Sequence, residues 1–309
     1  PAMTYALAVE REAAGDAAGA VETLRAALPA LPPGDLRQKT LFALAEFLYR
    51  LKKPAEARPY LDELAAGGDP DPKVLYRQAW IQFDSAEYAQ AEAAFKRLAD
   101  GDSEFAAEAQ FMHGRSLEEL QRPDEAARDY AAYVAGPGER PMKEDAFYRL
   151  ALLLPPAEAR AALDAYARQF PKGRYLADVR LKLAEGLFAH GETAAAAELY
   201  RQAGEDTAAS PAIRRAAAYG QAWTALKADR DDDAARGFAQ LREQAADDEI
   251  GRDATLQLAE IAYRKDSFDE AAAGFAQLTD HPRHGERATY MLAWTRRKAG
   301  NAPEADRLF

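Results

Sequence analysis

A small residue followed four positions later by a large one recurs through the chain, and this period constrains the fold more than any other feature. Ala20, Ala57, Ala91, Ala126, Ala159, Ala196, Ala234, Ala271 and Ala305 are spaced by 37, 34, 35, 33, 37, 38, 37 and 34 residues. The large residues after them are Leu24, Leu61, Phe95, Tyr130, Leu163, Tyr200, Phe238, Phe275 and Phe309. Twelve positions before most of these alanines stands another small residue: Ala8, Ala45, Ala79, Gly114, Ala184, Ala222, Ala259 and Ala293. Ala151 takes that role in the fifth unit, after a shortened turn. Each period reads as two short amphipathic helices. Residues 254–278 show the design: Leu258, Ala259 and Ala262 form one stripe, Arg264 to Ser267 break it, and Phe268, Ala271, Phe275 and Leu278 form the second. Small residues let the two backbones approach while the large ones fill the groove. Such a hairpin cannot bury its apolar faces alone, so it requires neighbours on both sides.

A period near 34 with this pattern resembles the tetratricopeptide repeat, a helix–turn–helix array. The first unit fits that consensus through Leu7, Ala8, Gly15, Asp16, Ala20, Leu24, Ala27 and Pro32. The resemblance covers the whole chain as one array over 1–309, with units at 1–34, 35–71, 72–102, 103–141, 142–174, 175–210, 211–248, 249–284 and a truncated 285–309. It implies an all-α fold: an α-solenoid of about nine helix–turn–helix units wound as a right-handed superhelix. Pro1-Ala2-Met3 reads as a cloning remnant and Phe309 stops inside a second helix, so the sequence reads as a piece of a longer protein.

Turns are expected at Gly15-Asp16, Lys53-Pro54, Gly191-Glu192, Arg230-Asp231, Ser267-Phe268 and Gly300-Asn301. Glycine there supplies a left-handed helix end, and Asp or Pro starts the next helix. Gly67 to Pro72 reads as a loose exit and Gly136 to Pro141 as the best candidate for a bend. The fifth unit is atypical: its first helix, Asp145 to Leu154, is cut off by Pro155-Pro156, because proline cannot continue a helix interior. It closes on Tyr166, Phe170, Pro171, Gly173 and Tyr175. Over 166–203 this pattern resembles repeats of bacterial cell-envelope proteins, among them the Tol–Pal periplasmic coordinator family and the lipoprotein of the β-barrel assembly machine.

Composition removes several functions. A net charge of -11 and a pI near 5.1 oppose nucleic-acid binding, which needs a basic stripe to neutralise phosphates. No apolar run is long enough for a membrane span, and the absence of cysteine excludes disulfides and thiolate metal sites. His113 sits at a core position and reads as a hydrogen-bonded, half-buried histidine, while His281 and His284 lack a third metal ligand at suitable spacing. The acidic run Asp229 to Asp233 lacks the glycine of a calcium loop and reads as a helix start favoured by the dipole. No phosphate loop, nucleophile elbow or apolar-set carboxylate pair appears, so no catalytic residue, cofactor or metal is assigned.

The candidate binding surface follows from the resemblance. In tetratricopeptide arrays the first helices line the concave face, with positions 5, 9 and 12 of each unit pointing into it. All three tryptophans, Trp80, Trp223 and Trp294, fall at position 9. Tyr76, Phe111, Tyr219 and Tyr290 fall at position 5, Phe83, Phe188 and Tyr263 at position 12, and Arg115 beside them. A tryptophan next to a close-packing alanine is expected to point away from the seam within the hairpin. These residues, Phe188 apart, form the expected partner-binding set, since rings on a rigid surface suit peptide hot spots. The lysine–asparagine clamp of chaperone-binding members is absent, because the chain's single asparagine, Asn301, lies in a turn.

The expected function is therefore a non-enzymatic scaffold holding a protein or peptide segment in bacterial cell-envelope assembly. The expected compartment is the periplasm or cell envelope, with the cytoplasm as the alternative. Two other readings stand beside it: a periplasmic region of an exopolysaccharide secretion protein, with polysaccharide as ligand, and a regulatory repeat domain fused to a catalytic or membrane module. Self-association through the truncated last unit is also expected, with Leu292 and Leu308 left uncovered.

Overall fold

The computed structural model describes residues 2–66, 70–138, 140–244 and 248–309. Parts of both expected loops, 67–69 and 139, lie outside them. The chain divides into two compact units, Pro1–Ala159 and Arg160–Phe309. Helices of the first are α1 (Ala2–Ala13), α2 (Ala17–Ala27), α3 (Asp35–Arg50), α4 (Pro54–Ala65), α5 (Pro72–Asp84), α6 (Tyr88–Ala99), α7 (Ala106–Glu119), α8 (Pro123–Ala135) and α9 (Lys143–Leu153). The division falls within α10 (Pro156–Gln169). The second unit continues with α11 (Leu176–Ala189), α12 (Thr193–Glu205), α13 (Pro211–Lys227), α14 (Asp231–Gln244), α15 (Glu249–Arg264), α16 (Phe268–Ala276), α17 (Gly285–Lys298) and α18 (Ala302–Leu308). No strand occurs among the described residues. The fold is an α-solenoid of stacked hairpins.

The repeated alanines do what their spacing demands. Ala20, Ala57, Ala91, Ala126, Ala196, Ala234, Ala271 and Ala305 are fully buried, and so, nearly or fully, are the small residues twelve positions earlier. Two glycines complete the close approach. A Cβ on Gly237 would stand 3.0 Å from that of Ala222, and one on Gly274 would stand 2.8 Å from that of Ala259. Two landmarks depart from expectation. Ala159 is only half-buried, and Phe309 is exposed. Leu292, expected to lack cover, is instead buried in the cluster of Leu256, Phe275 and Leu278, so the exposed rings at that end are Tyr290 and Phe309.

The turns share one geometry. The residue five before each second-helix alanine is left-handed: Gly15, Lys52, Ala86, Gln121, Gly191, Asp229, Asp266 and Gly300. The following amide reaches the carbonyl five residues back, as in Glu87 N to Gln82 O at 2.8 Å and Glu192 N to Leu187 O at 2.9 Å. This capping bond satisfies an orphan carbonyl at the helix end. The fifth unit has no such turn: Leu154 is extended, and α9 is the shortest first helix, beginning two residues earlier than expected. The rings of the Phe170–Tyr175 stretch serve a local junction. Tyr166 is fully buried, packs 5.0 Å from Phe170 between ring centres, and its hydroxyl accepts from Tyr175 N at 3.2 Å. Tyr133 accepts from Met142 N in the same way, also nine residues on.

Candidate partner-binding face

The first helices of three hairpins repeat one cluster. Tyr76, Ala79 and Trp80 on α5 correspond to Tyr219, Ala222 and Trp223 on α13 and to Tyr290, Ala293 and Trp294 on α17. Each tryptophan meets its tyrosine edge-on, with ring centres 6.3, 6.2 and 6.4 Å apart. Each also leans edge-on against the large residue of its own second helix: Phe95 at 6.0 Å, Phe238 at 5.8 Å and Phe309 at 5.7 Å. The tryptophans thus do not turn wholly away from their hairpin. One edge packs on the partner helix and the ring stays half-buried, because indole is long enough to reach past the close-packing alanine.

The tyrosines tie neighbouring hairpins together. The Tyr219 hydroxyl donates to Asp253 Oδ2 at 2.6 Å, the Tyr49 hydroxyl donates to Asp84 Oδ2 at 2.6 Å, and Tyr76 faces the carboxylate of Glu108. Burial, reinforced by the adjacent carboxylate, raises the pKa of all three phenols, that of Tyr49 to about 12. Tyr290 is 56% exposed.

In the first unit Tyr76 stacks on Phe105 at 4.6 Å, and Phe83 lies between Trp80 and Tyr88 at 6.3 and 5.4 Å. The Arg115 guanidinium sits 5.5 Å above Phe83, 3.9 Å from Glu118, and its Nε makes no hydrogen bond. Phe111, expected on the binding face, belongs to the core: it is 5% exposed and packs 5.7 Å from both Tyr130 and Tyr133. A ligand does not reach it. Tyr263 in the second unit is half-buried against Phe268 at 5.8 Å.

Around Trp223 the surface opens. A cavity of about 440 Å³ is lined by Glu185 and Phe188 of α11, Tyr200 of α12, Ala216, Tyr219, Gly220, Trp223 and Lys227 of α13, and Ile250 of α15. Ala216 and Gly220, one turn apart, keep the face of α13 low, and Gly220 makes room for the Tyr200 ring that forms part of the cavity wall. A Cβ on Gly220 would fall 2.3 Å from the Tyr200 ring. A second cavity of about 480 Å³ shares Trp223 and Lys227 and runs to Asp253, Gln257, Glu260, Arg264, His284 and Arg287. Its charges are largely paired: Arg287 Nε donates to Glu260 Oε1 at 2.6 Å and Arg264 Nη2 to Asp231 Oδ1 at 2.8 Å. A larger space of about 580 Å³ lies between α12 and α14, where Arg201 pairs with Glu198 and Arg236 with Asp233. Ala216, Gly220, Lys227 and Ile250 escaped the sequence reading. The available signal was a pair of small residues four apart on a helix that carries a tryptophan.

The remaining histidines serve the fold. His113 lies between two carboxylates, Nε2 at 3.1 Å from Glu92 and Nδ1 at 2.6 Å from Asp129. The rings of His281 and His284 stack at 4.9 Å, and His281 Nδ1 accepts from His284 N at 3.2 Å. No group of three His, Cys, Asp or Glu suited to a metal occurs among the described residues. In the acidic run, Asp231 and Asp232 pair with Arg264 and Lys265 of the following hairpin. Among the described residues no helix is long and apolar enough to cross a membrane.

No protein-family model matches the chain, and no curated protein matches it. Solved structures do. A tetratricopeptide repeat protein from Parabacteroides merdae is similar at a TM-score of 0.54 and 18% identity, covering 84% of this chain and 99% of that one. The C-terminal part of a TPR repeat-containing protein from Cytophaga hutchinsonii is similar at a TM-score of 0.50 and 15% identity, covering 85% and 98%. The fold is that of tetratricopeptide repeats. Identities this low carry the fold alone.

Proposed function

We propose that this tetratricopeptide-repeat array is a non-enzymatic scaffold that holds a segment of a partner protein against the first-helix face, with Trp223 as the principal anchor. The observation that carries the reading is the pair of cavities, about 440 and 480 Å³, on either side of a half-buried tryptophan. Trp223 is fixed by Tyr219 and Phe238, so little side-chain freedom remains to be lost when a ligand covers it. Trp80 offers a similar fixed ring in the first unit. The few polar groups lining the 440 Å³ cavity suit apolar side chains more than a sugar. We extend the reading to bacterial cell-envelope assembly, in the periplasm, on the likeness of 166–203 to envelope repeats.

The test is capture of partners from the native bacterium by the full chain, followed by titration of the captured protein against Trp80→Ala, Trp223→Ala and Trp294→Ala. A desolvated anchor contributes about 2 kcal/mol or more, so Trp223→Ala is expected to weaken binding roughly thirtyfold. Unchanged affinity in all three folded variants would move the binding site elsewhere.

A further inference from the structure

The first unit shows how an arginine is seated on this face. The Arg77 guanidinium donates to both carboxylate oxygens of Glu46, from Nη2 to Oε2 at 2.9 Å, and lies 4.3 Å from the ring centre of Tyr49. Glu46 and Tyr49 stand one and four residues after the close-packing Ala45, and Arg77 stands two before Ala79 of the next hairpin. The same positions in α11 and α13 are Glu185 and Phe188, one and four after Ala184, and Gly220, two before Ala222. Acid and ring are present. The arginine is replaced by a residue with no side chain.

Glu185, Phe188 and Gly220 line the cavity of about 440 Å³ together, with the Tyr200 ring standing where a Gly220 side chain would begin. Glu185 has no hydrogen bond or ion pair among the described residues; its side chain is exposed, yet partial desolvation beside its apolar neighbours raises its pKa, with Asp178 adding to the rise and Lys182 opposing it. The other acid–ring pair in the second unit, Glu260 and Tyr263, has its acid paired from a different register position: Arg287, six residues before Ala293, donates to Glu260 at 2.6 Å. Of the three acids, Glu185 alone has no arginine from the next hairpin.

Resting on the scaffold reading above, we infer that the cavity at Gly220 receives an arginine side chain of the bound segment, which pairs with Glu185 and packs on Phe188 as Arg77 does with Glu46 and Tyr49. A planar guanidinium can satisfy both demands at once, a fork for the carboxylate and a flat face for the ring. The wall formed by Trp223 and Ile250 takes a neighbouring apolar side chain. Lys227 lies seven residues beyond Gly220, about 10 Å along the helix, and keeps the arginine at the Glu185 end.

The experiment selects displayed random peptides on the full chain, then titrates the strongest synthetic peptide against the wild type, Glu185→Gln and Trp223→Ala. Glu185 is exposed enough for the glutamine to leave the melting temperature unchanged. Selected peptides are expected to carry arginine beside a bulky apolar residue, and Glu185→Gln to weaken them roughly tenfold. Replacing the peptide arginine with citrulline gives a similar loss on the wild type and little further loss on Glu185→Gln. Peptides that need Trp223, lack arginine and bind Glu185→Gln equally well would overturn the arginine site and leave the scaffold reading standing. Selection of nothing, or only of peptides indifferent to Trp223, would overturn both.

Discussion

Tyr219 on α13 donates its hydroxyl proton to Asp253 on α15 across 2.6 Å, joining the first helices of consecutive hairpins. Tyr49 and Asp84 repeat the link in the first unit at the same distance. Interfaces between hairpins are where a solenoid gains its cooperativity, so these bonds report on the stacking itself. Tyr219→Phe is expected to lower unfolding stability by about 1 kcal/mol in urea denaturation, since a hydrogen bond to a charged acceptor is lost without a change in packing. Tyr290→Phe, at an exposed phenol without such a partner, should lie within about 0.5 kcal/mol of the wild type.

Ala259 and Gly274 set the closest approach within the α15–α16 hairpin, where even a methyl on Gly274 would stand 2.8 Å from the alanine. Ala259→Leu should therefore overpack the seam and cost roughly 1–3 kcal/mol. A thermal melt matching the parent would contradict this packing.

Five turns place a non-glycine residue in the left-handed conformation, Ala86 at φ 59 among them. The Cβ clash in that region costs about 1–2 kcal/mol, and glycine avoids it. Ala86 is exposed and its methyl contributes little packing. Ala86→Gly is expected to raise the melting temperature despite the added freedom of the unfolded chain, while Gly300→Ala should lower it. Equal melting of Ala86→Gly and the parent would mean that the unfolded-state entropy offsets the strain completely.

His113 is a pH-dependent link between α6, α7 and α8. Burial alone would lower its pKa, but the carboxylates of Asp129 and Glu92 outweigh it and hold the imidazole above its ordinary value. A group raised on folding stabilises fully below its unfolded pKa, about 6.5, and loses that contribution as pH rises through the folded value. The melting-temperature difference between wild type and His113→Gln should therefore be largest near about pH 6 and shrink toward about pH 9. A difference independent of pH would leave the histidine as a packing residue only.

The repeat architecture was legible in the sequence because its requirements are local. Close approach of two helices twelve residues apart in register demands a small residue at a fixed place, and Ala8 through Ala293 recorded that demand at each hairpin. The left-handed turn lies five residues before each second-helix alanine for the same reason, and the fifth unit, with Pro155 and Pro156, showed its missing turn in advance. Tertiary structure decided what depends on the next hairpin, some thirty residues away. Phe111 and Tyr76 share one register position, yet Phe111 is sealed by Tyr130 and Tyr133 while Tyr76 keeps a surface beside Phe105. Glu46 and Glu185 are alike in sequence register, and only the following helix distinguishes them, by presenting Arg77 to one and Gly220 to the other. Exposure and pairing are sums over neighbours brought together by stacking, so a period can place a side chain on a face but cannot say what stands opposite it.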